Sequence, residues 1–266
     1  MAPTDITPIH VPYPEAPDLE LKIIADGCHI DIKPEAANDW VSGTYQDPSG
    51  QRSPRITQDG GTLTIDHART TTNVVGELTA GTPRFDLVLG TGQPYALTIQ
   101  AAAIESYAEL AGLPITRLVI NQRAGQSRIS FGQANPQPAE LLHISAQGAT
   151  IETRNLANAN AAAISLDGDA TRYLVDFGGE LQRNTHAAVS ARASSMEITV
   201  PTSTAARISA TSMLGDLDVG DGFRQQGGAF WTQTAASADH PLLTIDASVE
   251  AGQLKLRVQK DAASHT

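Results

Sequence analysis

The chain repeats one short sentence of sequence. A strand of alternating apolar residues runs into a corner of small residues, and a second alternating strand follows. Clear copies lie at Leu118–Phe131, Leu141–Thr153, Ala162–Phe177, Ala187–Pro201, Ala206–Gly220 and Leu242–Val258. Leu19–Pro34 is a further copy and Gly60–His67 supplies half of one. In the second strands Ile129 and Phe131, Tyr173 and Val175, Met196, Ile198 and Val200, and Leu254 and Leu256 occupy every other position. Period-two alternation buries one face of a strand and wets the other. Glycine recurs at the corners, at Gly27, Gly125, Gly148, Gly168, Gly215 and Gly252, where tight turns favour a residue without a Cβ. Most copies follow one another at roughly 20–25 residues, the range of stacked repeats. One such unit cannot bury its own apolar face, so only an array is stable. The expectation is an all-β, single-domain, β-solenoid-like stack of short strands.

The composition suits thin strands on a narrow core: aromatics are 5% and charged residues 18%, with small and β-branched residues abundant. Residues 1–18 hold Pro3, Pro8, Pro12, Pro14 and Pro17 and read as a flexible, extended arm. Residues 19–259 carry the repeats, and 260–266 read as a disordered polar tail. Two segments stand apart. Ala101–Leu113 places Ile104, Tyr107, Ala108 and Ala111 at helical spacing, yet its flanks fit the repeat, so a helix and a rung both stay open. The stretch from Gly220 to Pro241 reads as a loop or hairpin insertion between copies.

This order of corners and strands resembles the bacterial toast-rack domains, among them candidate-adhesin domains and the C-terminal domains of LiaF-like cell-envelope stress proteins. The stretches that carry the resemblance are Leu19–Pro34, Arg84–Gln100, Leu110–Phe131, Thr171–Pro201 and Val249–Val258. The resemblance implies an all-β stack of parallel-like rungs over roughly residues 19–258. It also implies an envelope-associated scaffold, regulator or surface protein, and brings no catalytic residues with it. Many relatives carry a membrane helix or signal ahead of the domain, where this chain has the Pro-rich arm.

Charge narrows the partners. The formal net charge is −11, so phosphate-rich partners are repelled and nucleic acid is not expected. No stretch is long and apolar enough for a transmembrane helix, and the first residues lack the pattern of a secretory signal. These two features favour a cytoplasmic or membrane-peripheral place, with the localisation itself left open. The expected partner is a protein or a cell-envelope component; the oligomeric state is not legible.

The candidate chemistry is weak at each point. Cys28 shares a strand face with Ile30 and Ile32 and reads as core. Gly90–Tyr95 follows a strand like a nucleotide-binding turn, but leads to Pro94 and another strand rather than to a helix. Asp216, Asp218 and Asp221 cluster as calcium ligands do, yet Leu217 and Val219 are expected to point inward, which turns Asp216 and Asp218 to water on an ordinary strand. Asp167 and Asp169 flank Gly168 in the same way. The histidines show no zinc spacing, and no nucleophile elbow is present. Neither cofactor nor metal is expected, and no catalytic residue is assigned. Phe223, Phe230 and Trp231 fall in one segment of a chain poor in aromatics. They either fold back to close the end of the stack or form a partner-contact patch. The expected function is a non-enzymatic scaffold or binding module, related to the bacterial cell envelope or to adhesion. The alternative is a carbohydrate-active β-solenoid enzyme using surface carboxylates.

Overall fold

The computed structural model describes residues 6–36, 38–50, 52–67, 81–236 and 240–260. β1 (Ile6–Pro12) is followed by β2 (Glu20–Ala25), β3 (His29–Glu35) and β4 (Asp39–Gln46). β5 (Arg55–Asp59) and β6 (Thr62–His67) form a hairpin, and β7 (Arg84–Gly90) comes next. β8 (Tyr95–Glu109) and β9 (Ile115–Ser130) each run through their corner without a break. Three two-strand units succeed them: β10 (Ala139–Gln147) with β11 (Ala149–Arg154), β12 (Ala161–Asp169) with β13 (Arg172–Asp176), and β14 (Thr185–Arg192) with β15 (Ser194–Pro201). The long β16 (Ala206–Val219), the short β17 (Arg224–Gln226) and β18 (Ala229–Trp231), and the long β19 (Leu243–Gln259) complete the chain. The only helical turns among the described residues are two of 3-10 type, Leu156–Ala159 and Gln233–Ala236.

Two parallel ladders run side by side. The first has the order β6, β2, β8, β9, β10, β12, β14, β19, β16, using the first halves of the long strands. The second has the order β7, β3, β8, β9, β11, β13, β15, β19, β16. Parallel register places like side chains in rows. Ile65, Ile23, Ile99, Ile120, Ile144, Leu166 and Val189 form one unbroken row, all of them buried. In the second ladder Val175, Ile198 and Leu256 continue another.

The all-β class expected from the alternation is what the structure shows, in one connected sheet system. A simple winding in chain order is not. The unit at 20–35 inserts between the 62–90 unit and β8, and β19 inserts between the 185–201 unit and β16. Antiparallel strands finish the ladders: β4 and β1 beyond β7, β5 beyond β6, and β18 then β17 beyond β16.

Three local expectations are corrected or decided. Residues 6–12, placed in the flexible arm, form β1, which pairs with β4 from Ile6↔Gln46 to Pro12↔Asp39. Ile9 and Val11 bury against the core, and prolines are tolerated because one side of an edge strand needs no donor. Residues 101–113 make a rung, not a helix: β8 buries Ile104 and Ala108 and exposes Tyr107. The insertion after Gly220 is the β17–β18 hairpin. The tail beyond residue 260 lies outside the described residues.

The corners explain two glycines. Gly125 has φ 97° and a Cβ there would lie 1.9 Å from the Ile104 carbonyl oxygen. Gly252 has φ 132° and the same 1.9 Å approach to the Ser194 carbonyl oxygen. Neither backbone angle nor space admits a β-branched side chain. Gly125→Val should therefore lower the melting midpoint well beyond a surface change. An unchanged midpoint would show that the corner relaxes freely.

A second stability expectation concerns β15. Ile198 is fully buried, whereas Glu197 lies on the wet face. Ile198→Ala should cost about 2–5 kcal/mol through lost burial and a cavity. Glu197→Ala should cost under about 0.5 kcal/mol. Denaturant titration of both variants tests the facing, which equal midpoints would contradict.

Candidate functional site

Where each rung turns from the first ladder to the second, outward side chains stack into a groove of about 680 Å³ crossing six strands, from β9 to β16. Register builds it. Asn121, Ser145, Asp167, Ser190, Ser248 and Thr211 occupy one row. Beside this row Arg123, Gln147, Asp169, Arg192 and Glu250 line the wall, and Met213 closes one end. Asp167 accepts from Ser165 on its own strand at 2.9 Å and from Ser190 on the neighbouring rung at 2.6 Å. Arg192 lies 3.8 Å from Asp169. Hydroxyls, amides and charges of both signs thus repeat at strand spacing along an open channel. Such a surface offers donors and acceptors to an extended polar ligand.

The wet faces carry further ion clusters, which lower four carboxylates. Arg84 bonds Asp86 at 2.9 Å and also bonds Asp31, with His29 3.4 Å from Asp31. The Arg84 hydrogen bond holds Asp86 below its ordinary carboxylate range. Partial burial pushes Glu152 up, but the guanidiniums of Arg154 and Arg128 together bring it below its usual value. Arg257 lowers Asp218, and His186 lowers Asp246. A general acid for glycoside cleavage needs a carboxyl whose affinity for its proton is raised; these four move the other way.

The sequence-singled residues fall in separate places. Cys28 is buried, and burial with help from Asp26 pushes its thiol up to about 12. Gly90–Tyr95 is a turn into β8, where the Gly92 N–H donates to the Tyr13 hydroxyl at 3.1 Å. Leu217 does not point into a closed core: it is 37% exposed, because β16 is the last strand of its ladder and nothing described lies beyond it. Asp218 bonds Arg257 at 2.5 Å. Among the described residues no three His, Cys, Asp or Glu side chains gather as metal ligands do.

Phe223, Phe230 and Trp231 sit at the β16 end. Phe223 and Phe230 meet edge to face at 6.5 Å and pack half-buried on the core. Trp231 lies opposite Arg207, whose guanidinium is 5.8 Å from its ring. Their hairpin pairs with Arg207 and Ile208, in the first ladder.

Two features escaped the sequence reading. The groove draws two or three residues from each of six strands, and no local motif marks it. At the other corner, asparagines tie successive turns together. Asn135 donates to the Ile115 and Ala159 carbonyls at 2.7 and 3.2 Å, and Asn158 to Phe131 at 2.8 Å. The asparagine-rich stretch Asn155–Asn160 was the available signal, since buried amides must find partners.

These rungs and corners place the chain in a class of stacked-strand, all-β domains. The family model described as the N-terminal domain of toast_rack, DUF2154, matches residues 3–142, more than half of the 266 residues. The chain belongs to the toast-rack family, as the resemblance implied, and the matched region includes β1. A candidate adhesin from Bacteroides fragilis NCTC 9343 shares the fold with a TM-score of 0.55 at 9% identity, over 97% of this chain and 98% of that one. A candidate cell adhesion protein from Clostridium sporogenes ATCC 15579 gives a TM-score of 0.49 at 11% identity, over 96% and 100%. No curated protein matches the chain. No helix among the described residues is long and apolar enough to cross a membrane.

The Cys28 environment gives a direct expectation. In native protein at neutral pH the thiol should resist a disulfide exchange reagent, because the reactive thiolate is scarce and buried. It should react at once in denaturant. Rapid native labelling, followed by absorbance, would show that the Gly27 corner opens.

Proposed function

We propose that this protein is a non-enzymatic binding module of the cell-envelope or adhesion type, engaging an extended envelope component along the corner groove. The observation that carries this reading is the polar row Asn121–Ser145–Asp167–Ser190–Ser248–Thr211 with its charged wall, repeated at strand spacing. The toast-rack membership and the adhesin-like name of the Bacteroides fragilis fold relative agree with it. The repeat-bearing region 19–259 acts as one solenoid-like unit, rigid enough to hold the row in register. Phe223, Phe230 and Trp231 are a secondary contact beside the β16 end. The arrangement binds rather than cleaves: the carboxylates with shifted affinities are paired to Arg or His, and ionised.

The test uses purified bacterial cell-wall polysaccharide and protein-stripped envelope, immobilised. The variant Arg123→Ala/Arg192→Ala should bind at least about tenfold more weakly, about 1.4 kcal/mol. Its melting midpoint should stay unchanged, because exposed ion pairs contribute little to stability. Retention equal to that of the unaltered protein removes the groove from the reading. Release of sugar fragments would favour the carbohydrate-active alternative.

A further inference from the structure

The two ladders have four ends, and three are finished against further pairing. The second ladder closes at one end on β1, where Pro8 and Pro12 interrupt the edge; proline cannot donate to a further strand. The first ladder closes there on β5, five exposed residues including Arg55 and Asp59. Short charged edge strands resist addition. At the opposite end the first ladder closes on β18 and β17, three residues each. The fourth end is the second half of β16, Leu214–Val219. It pairs with β19 from Leu214↔Ala251 to Val219↔Leu256. β18 reaches only Arg207 and Ile208, and among the described residues no strand pairs with the outer side of Leu214–Val219.

The backbone of this edge is set to receive a strand. The Gly220 N–H donates to the Leu256 carbonyl at 2.9 Å. Along a strand, successive residues turn their N–H and C=O to opposite sides. Asp218 and Asp216 therefore bond toward β19, and Gly215, Leu217 and Val219 present theirs outward. The side chains agree. Leu217 extends the inner row of Ile151, Tyr173, Met196 and Leu254. Those four are fully buried, whereas Leu217 is 37% exposed. The row is cut open where one more strand would cover it.

Charge selects the occupant. A second copy pairing through β16 would bring Asp216 and Asp218 against the same carboxylates on a chain of net charge −11, and like charges opposed across strands destabilise. Asp218 is held by Arg257, whereas Asp216 makes no ion pair among the described residues. An incoming strand would lay apolar residues over Leu217 and Val219 and set its alternate residues beside Asp216.

The geometry points to Leu214–Val219 as a docking edge for an extended segment of another protein, one that alternates apolar and basic residues and adds itself as a further rung. Backbone bonding supplies affinity in such additions, and alternate side chains supply specificity.

The probe is a fluorescein-labelled synthetic peptide, KIKVKIK with blocked ends, titrated with the full chain and read by anisotropy. Its acidic counterpart EIEVEIE and the proline-broken KIPVPIK are the comparators. The basic peptide should bind saturably, and each comparator at least about tenfold more weakly. Leu217→Lys and Asp216→Lys should each weaken binding about tenfold or more. Ile56→Lys, on exposed β5 at the far end, makes the same charge change as Leu217→Lys and should leave binding unaltered. Circular dichroism melts check that all three variants fold, and Asp216→Lys changes only a wet-face side chain. Absence of saturable binding overturns the proposal, as does equal weakening by Ile56→Lys. A dimer seen by sedimentation and abolished by Leu217→Lys would also overturn it, assigning the edge to a second copy.

Discussion

The in-register parallel ladder is the constraint on which everything else rests. No rung has an interior of its own: Ile144 is buried because Ile120 lies on one side of it and Leu166 on the other. Stability is then close to a sum of neighbour contacts, and a chain poor in aromatics can afford this because a narrow core needs only branched aliphatics. The same register that stacks isoleucines inward stacks Ser, Asn and Asp outward. The groove is thus a consequence of the core's order and needs no loop to build it.

Register also fixes what the corners tolerate. Successive turns approach so closely that a carbonyl of one rung fills the space a side chain would take on the next, as Ile104 does over Gly125. At the other corner the gap between turns is bridged by the amides of Asn135, Asn158 and Asn160. Backbone groups that leave one ladder before entering the next would otherwise be buried without partners. Hard backbone contact on one side and side-chain hydrogen bonds on the other hold the two ladders at a constant offset.

The sequence reveals local facing far better than order in space. Alternation around Ile198 or Val175 places each side chain correctly, because a half-buried strand imposes period two wherever it sits. The same rule gives Leu217 its inward facing but not its 37% exposure. Its pattern is that of an interior strand, and only the insertion of β19 between β14–β15 and β16 makes it terminal. Nothing local encodes that insertion, since every copy offers similar parallel edges and the choice between them is tertiary. β1 is hidden for a related reason: Pro8 and Pro12 read as loop, yet an edge strand has a side with no hydrogen-bonding obligation. The groove residues are the least legible, as each belongs to a different strand and is ordinary by itself.

The order of rungs changes what the ends can do. A stack wound in chain order would finish on its termini. Here the first and last repeat units lie inside the ladders, and the ends are β1 beyond β4 and β7, β5 beyond β6, and β16 with its hairpin. Placing β2 and β19 inside gives each of them a strand on both sides. It also frees the end strands to differ from the repeat, and they do differ, in prolines, in length and in charge. Edge protection is a familiar requirement for sheets, and this chain meets it at three of four places with three separate devices. Leu214–Val219 keeps an interior sequence in an edge position. That mismatch between pattern and place distinguishes it from the other three ends, and it arises from the same rung order that no local reading could supply.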